Sequence, residues 1–252
     1  MLIALSLSGT YRRVSREDFW TLFKISALGF FVFQFFFTEG IDRTTSGNVA
    51  FILCLMPISV LILNKFYGLE EITRPVVIGI ICSISGVTCI VLGSGNNVSL
   101  ASNHFLGTLF ILFSQAGYAY YTVFSKGLLE RYSALQVTTY LVITTTCLLF
   151  LVSLPSIIKV DWASLPPVVW GSIFFSGVFS MTLGNFLWIW GVGIIGTSRV
   201  AIFNNISPVS AIITAYFLLG ETFGIQQALG AVLIFAGVFI TRNKDRFLGK
   251  KE

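Results

Sequence analysis

Apolar residues come in runs of roughly twenty, at 20–38, 46–66, 75–93, 105–125, 134–158, 168–191, 198–219 and 226–241. Runs of that length match the ~30 Å hydrocarbon core of a bilayer. The pattern therefore predicts eight membrane spans. An apolar stub, MLIALSLS, is too short to cross and leads into a basic loop, GTYRRVSRED. The turns between spans (EGIDRTT, LEEITRP, SGNNVSLASNH, SKGLLERYS, KVDWASLPP and ETFGIQQ) are too short to hold a soluble domain. Backbone facing lipid must satisfy its hydrogen bonds within each segment, so the spans are expected to be helices. The runs are too continuous for the alternating strands of an outer-membrane barrel. The expected fold class is an all-α integral membrane protein.

Composition supports the same class. Of 252 residues, 55% are hydrophobic and 11% charged, less than half the ~25% that a soluble domain carries. The net charge of +5 would suggest nucleic acid in a soluble protein. Here it matters only through the loops that hold it. Cys54, Cys82, Cys89 and Cys147 all fall inside apolar runs without metal or redox spacing, and read as packing residues. The start has no n-region, h-region and cleavage site of a signal peptide.

One pattern occurs twice. MPISVLILNKFYGLE, residues 56–70, and SPVSAIITAYFLLGE, residues 207–221, each carry proline at the second position and glutamate at the last. The offset of 151 that relates Pro57 to Pro208 and Glu70 to Glu221 also pairs Phe35 with Phe186, Gly40 with Gly191 and Val49 with Val200. It continues ungapped through Ala50/Ala201, Ser59/Ser210, Ile62/Ile213, Phe66/Phe217, Gly79/Gly230, Gly86/Gly237 and Val87/Val238. Shared hydrophobicity does not explain matched Pro, Glu and Gly, so the chain reads as an internal duplication. Residues 101–252 hold five spans; residues 1–100 hold three and the stub. The simplest reading is a duplicated five-helix unit whose first copy lacks about one and a half helices. A misassigned start, a fragment and a real truncation all fit.

Five is odd, so a tandem copy sits inverted, as in the inverted repeats of secondary transporters with a midplane site. Alternating the spans places Arg12, Arg13, Arg16, Lys65, Arg74, Lys126, Arg131, Arg199, Arg242, Lys244, Arg246, Lys250 and Lys251 on one side. The other side holds Arg43 and Lys159, and Lys24 lies in a first turn. That imbalance marks the first side, with the C-terminus, as cytoplasmic.

The stretch GTSRVAIFNNISPVSAIITAYFLLGETFGIQQALGAVLIFAGVFITR resembles the second EamA repeat of the drug/metabolite transporter superfamily. Its marks are the small-residue helix start, the mid-helix proline, the LGE turn and the glycine-bearing last helix with a basic tail. TTSGNVAFILCLMPISVLILNKFYGLEEITRPVVIGIICSISGVTCIVLG resembles the matching part of the first repeat. The resemblance implies a ten-helix fold, here about eight helices and a stub. Residues 1–100 would be an incomplete first repeat (the end of the second helix and helices three to five), and residues 101–252 a complete second one. It implies a multi-pass permease of the cell membrane that moves a small metabolite. The alternative is a non-transporting membrane protein derived from such a permease.

The chain has one histidine, His104, and no triad, buried acid pair, metal cluster or phosphate loop, so no catalytic, metal or cofactor site is expected. Without a nucleotide-binding domain, ATP would not drive transport. Mid-span polar groups tend to face a helix contact or a cavity. Gln34 and Asn185, equivalent at the 151 offset, are the leading candidates for solute binding, with Trp188 one turn from Asn185. Asn204, Asn205 and Ser207 precede Pro208, which lacks a backbone donor. Gln115, Tyr118 and Tyr121 share the helix that resembles a cavity-lining one. Asn48 and Arg199 are equivalent positions at helix starts. Glu70 and Glu221 read as caps of the following helix or turn, and the paired glycines as sites of close packing. The scarcity of ionisable cavity residues favours a neutral or zwitterionic solute. Expected partners are that solute, the bilayer and a second copy of the chain, with no nucleic acid.

Overall fold

The computed structural model describes residues 1, 5–6, 9–44, 46–70, 72–93, 102–210, 213, 217 and 224–243, which contain helices and no strand. Helix α1 runs Arg16–Ile41, α2 Ser46–Leu53, α3 Met56–Tyr67, α4 Arg74–Gly93, α5 Ser102–Leu129 and α6 Ala134–Ile157. Helix α7 spans Pro167–Ile195, α8 Thr197–Phe203 and α9 Ile225–Arg242. A 3₁₀ turn, Asn204–Ile206, follows α8 before helix resumes over 207–210. The second Pro-to-Glu segment lies mostly outside the described residues, including Glu221, as do most of the stub and the tail beyond 243.

Local chemistry explains the ends. Ser15 caps α1 by accepting from the Asp18 amide, with Glu17 and Asp18 in the first turn. Ser133 caps α6 in the same way. Pro167 opens α7, where its missing N–H costs nothing.

The span expected as one helix over 46–66 is two. Proline disfavours helical backbone in the residue before it and cannot donate into the preceding turn. The chain therefore leaves helix at Cys54 and Leu55 and restarts with Pro57 in the first turn of α3. In α1 and α7 the helix widens to π geometry over Ile25–Phe31 and Ser176–Gly184.

Helix starts recur at the offset of 151: Arg16 and Pro167, the π segments at Ile25 and Ser176, Ser46 and Thr197, Met56 and the restart at 207, Arg74 and Ile225. Helices α4 and α9 pack antiparallel through the four glycines. A Cβ on Gly86 would lie 2.5 Å from the Gly230 carbonyl oxygen, and one on Gly230 would lie 2.5 Å from that of Gly86. Gly79 and Gly237 stand in the same reciprocal relation. Val76, Ile80, Val87, Ile90, Ile234 and Val238 pack around this seam.

The burial pattern is that of a bundle in lipid. On α7, Val168 is 71% exposed, Phe174 68% and Phe175 62%, while Ser26, Ser114, Thr122 and Ser125 are fully buried. Water would penalise that apolar surface heavily, and hydrocarbon does not. The hydroxyls of Ser26, Thr122, Ser125, Thr138 and Thr139 each donate to the carbonyl four residues earlier in their own helix, so their burial is satisfied locally. Helices α1, α6 and α7 are long and apolar enough to cross a membrane.

Two ends can be told apart. At one, Glu70 meets Thr197 and Ser198, and Arg131 pairs with Asp18 at 2.8 Å. At the other, Asn48 and Thr44 meet Thr108. These are called the Glu70 end and the Thr108 end below.

Candidate solute cleft

Gln34 and Asn185 each follow a π segment, a distortion that is rare and frequent at functional sites. The structure brings both to one cavity of about 430 Å³ between α1, α5 and α7, with Tyr118, Phe33, Phe37 and Thr38. A second cavity of about 330 Å³ shares Phe30, Gln34 and Met181 with the first. Its far wall is α6, through Thr145, Thr146, Leu149 and Ser153. Both reach from the middle of the bundle toward the Thr108 end, the first to Ile41 and the second to Ile157. Among the described residues, neither is lined by an Asp, Glu, Lys, Arg or His.

The two amides differ in what they already hold. Asn185 is internally satisfied: its Nδ2 donates to the Met181 carbonyl at 2.8 Å, and its Oδ1 accepts from Tyr121 Oη at 3.3 Å. Gln34 Nε2 donates to the Met181 thioether at 3.0 Å, a weak acceptor, and its Oε1 bonds to no described residue. Gln34 is therefore the amide with hydrogen-bonding capacity left over, and Asn185 braces the wall. Aromatic rings continue that wall. Tyr121 stacks on Phe30 with centroids 4.9 Å apart, Tyr118 lies 4.5 Å from Phe33, and Trp188 lies 5.2 Å from Tyr118. Trp188 Nε1 donates to Thr122, so its polar edge is used inside the protein.

The other expected residues lie elsewhere. Gln115 donates to the Ile52 carbonyl at 3.3 Å on the floor of a separate, apolar groove of about 590 Å³, whose rim residues Leu28, Ile62 and Phe113 face outward. Asn48 joins α2 to α5 through Thr44 and Thr108. Asn204 donates to the Leu53 carbonyl at 3.2 Å. Asn205 is buried with no described hydrogen-bond partner on either amide atom. Ser207 is exposed, and Arg199 at the start of α8 is half-buried. Sequence reading missed Met181 and the hydroxyl-bearing face of α6. Met181 is the repeat counterpart of Phe30, and that equivalence is the signal that could have found it.

Between the cleft and the Glu70 end the bundle is filled by Leu22, Ile25, Leu128, Leu141 and Ile189. At that end Glu70 caps α8 of the other half rather than its own following helix. Its Oε2 accepts from Ser198 Oγ at 2.7 Å, Ser198 N at 3.1 Å, Thr197 Oγ1 at 2.9 Å and Asn64 Nδ2 at 3.0 Å. Lys126 Nζ lies 3.9 Å from Oε1. Burial alone would push this carboxyl's pKa up. The hydrogen bonds from Ser198 and Thr197 and the Lys126 charge outweigh it and hold Glu70 below the usual carboxylate range. Gly196 turns into α8 at φ 85°, and a Cβ there would sit 2.6 Å from Glu70 Oε1, so space and backbone both call for glycine.

A Bacillus subtilis protein named "Uncharacterized transporter YyaM" is 27% identical over 238 residues, covering 94% of this chain and 78% of its own. A Streptantibioticus cattleyicolor protein named "Probable terminal-alkyne amino-acid exporter" is 24% identical over 241 residues, covering 95% and 78%. One solved crystal structure superposes with a TM-score of 0.79 at 16% identity, over 95% of this chain and 82% of that one, a likeness of fold. The model of the EamA-like transporter family matches residues 1–92 and 105–243. The chain belongs to the EamA-like transporter family, and it is a membrane transporter by family.

Proposed function

We propose that this transporter moves a small neutral or zwitterionic solute, amino-acid-like in size, through the cleft at Gln34 by alternating access and without ATP. The observation that carries the reading is the unused hydrogen-bonding capacity of Gln34 in a cavity with no ionisable wall residue among the described ones. A highly charged solute would be stripped of water there with nothing to pair it. The relative named an amino-acid exporter supports the size class. The matched helix starts and the antiparallel glycine seam support two oppositely directed halves, residues 1–100 and 101–252, with the cleft between them. The excess of Lys and Arg at the Glu70 end supports a cytoplasmic location for that end and for the C-terminus, so the cleft opens to the outside of the cell membrane.

The test is counterflow of radiolabelled alanine, leucine and phenylalanine by the full chain in proteoliposomes. Exchange of at least one, lost in Gln34→Leu, is expected. No exchange of any, or exchange unaffected by Gln34→Leu, overturns the reading.

A further inference from the structure

We propose that Glu70 is a positioning residue for transport: its contacts with Asn64, Thr197, Ser198 and Lys126 latch the cytoplasmic end of the path shut. The inference rests on the transport reading above and adds the residue that sets which side the cleft faces. Four observations carry it.

The contact crosses between the halves. Glu70 ends the segment after α3, and its partners open α8, more than 120 residues away in sequence. Any motion that parts the halves at this end must break these bonds together. Asn64 strengthens the knot, because its Nδ2 also lies 2.9 Å from Thr197 Oγ1 and 3.0 Å from Ser198 Oγ.

Charge makes the contact strong. Hydrogen bonds to an ionised acceptor are shorter and roughly twice as strong as neutral ones. Glu70's side chain is 13% exposed, so little water competes.

The latch lies on the path from the cleft to the Glu70 end. The apolar plug of Leu22, Ile25, Leu128 and Ile189 fills the space between, and α5 carries both the plug residue Leu128 and the latch residue Lys126. Val60 of α3, Val123 of α5 and Ala201 of α8 pack in one cluster, so release of α8 from α3 would loosen the helix that carries Leu128.

The two halves are not equal in latch chemistry. At the offset of 151, Asn64 corresponds to Ala215, Thr197 to Ser46 and Ser198 to Gly47. Of the three side-chain donors around Glu70, one hydroxyl is retained at the positions that would serve Glu221. The sequence therefore offers Glu221 fewer matching side-chain donors than Glu70 has, which favours closure at the cytoplasmic end and an outward-facing resting form.

The experiment uses the full chain with its four cysteines replaced by alanine. A single reporter is placed at Ser125, which is buried one turn beyond Tyr121 on α5, or at Thr38 in the cleft. Each is reacted with a membrane-impermeant cationic methanethiosulfonate, from the cytoplasmic face in inverted vesicles and from the outside in intact cells. Glu70→Gln, and separately Thr197→Val with Ser198→Ala, should raise the cytoplasmic rate at Ser125→Cys by about tenfold, as expected for loss of one charge-assisted hydrogen bond. Both should lower the outside rate at Thr38→Cys. Glu70→Asp should restore most of the parent behaviour. Unchanged rates, or both rates rising together, overturn the latch. If Thr38→Cys in the otherwise unaltered chain cannot be reached from outside, the outward cleft itself fails, whatever Glu70 does. If the rates shift but counterflow is absent, the latch stands and the transport reading falls.

Discussion

Asn204 Nδ2 donates to the carbonyl oxygen of Leu53 at 3.2 Å, and these two residues hold the same position in the two halves, 151 apart. The bond has a local cause. Pro57 has no N–H to return to Leu53, four residues back, so the helix break leaves that carbonyl short of its usual partner. Asn204 supplies one from the symmetric break. Asn204→Leu should lower stability in detergent by about 1 kcal/mol. In a Pro57→Ala background, where the backbone donor returns, the same change should cost less, with a coupling of ~0.5 kcal/mol or more. Chemical denaturation of the four variants measures this, and additive effects would show that proline is not the cause.

The two cleft amides should separate in mutagenesis. Gln34→Leu gives up a weak bond to sulfur, so stability should change by less than ~0.5 kcal/mol while flux is lost. Asn185→Leu strips the buried Tyr121 hydroxyl of its acceptor and should cost about 1–3 kcal/mol as well as flux. Thermal melts alongside counterflow distinguish the two.

The seam between α4 and α9 should tolerate no added carbon. Gly86→Ala places a Cβ against the Gly230 carbonyl and should destabilise by about 1–3 kcal/mol. Gly127→Ala on α5 meets nothing within 4 Å and should be neutral or stabilise by up to ~1 kcal/mol. Equal melting temperatures for these two variants would contradict the close approach.

Acidification should undo the latch in a defined direction. A carboxyl whose folded pKa lies below its unfolded value stabilises the fold above the unfolded value, and that contribution is lost as pH falls through the folded one. Glu70 starts from 4.5 and is lowered. The melting-temperature difference between the parent and Glu70→Gln should therefore be constant from pH 7 to about pH 5 and shrink below about pH 4. A difference that grows on acidification would contradict the direction of the shift.

Much of this was legible because hydropathy and repetition speak directly to bilayer spans and to backbone. The helical class and the glycine contacts follow from spacing, and the offset of 151 pairs Gln34 with Asn185, which the structure places on one cavity. The π segments do not, because an extra residue per turn leaves the apolar pattern nearly intact. Glu70 read as a cap, and it is one, but a sequence cannot name a partner 128 residues away. Asn48, Gln115 and Asn204 read as cavity residues because mid-span amides look alike in sequence. In the structure they bond to Thr108, Ile52 and Leu53, contacts at helix ends and breaks that a sequence does not name.

The account depends on two halves that run through the membrane in opposite directions. Single cysteines at Leu69, near the end of the first Pro-to-Glu segment, and at Gly224, just past the second, test it directly with an impermeant thiol reagent. Labelling of Leu69→Cys only from the cytoplasmic face and of Gly224→Cys only from the outer face is the expected result. Labelling of both from one face would contradict it.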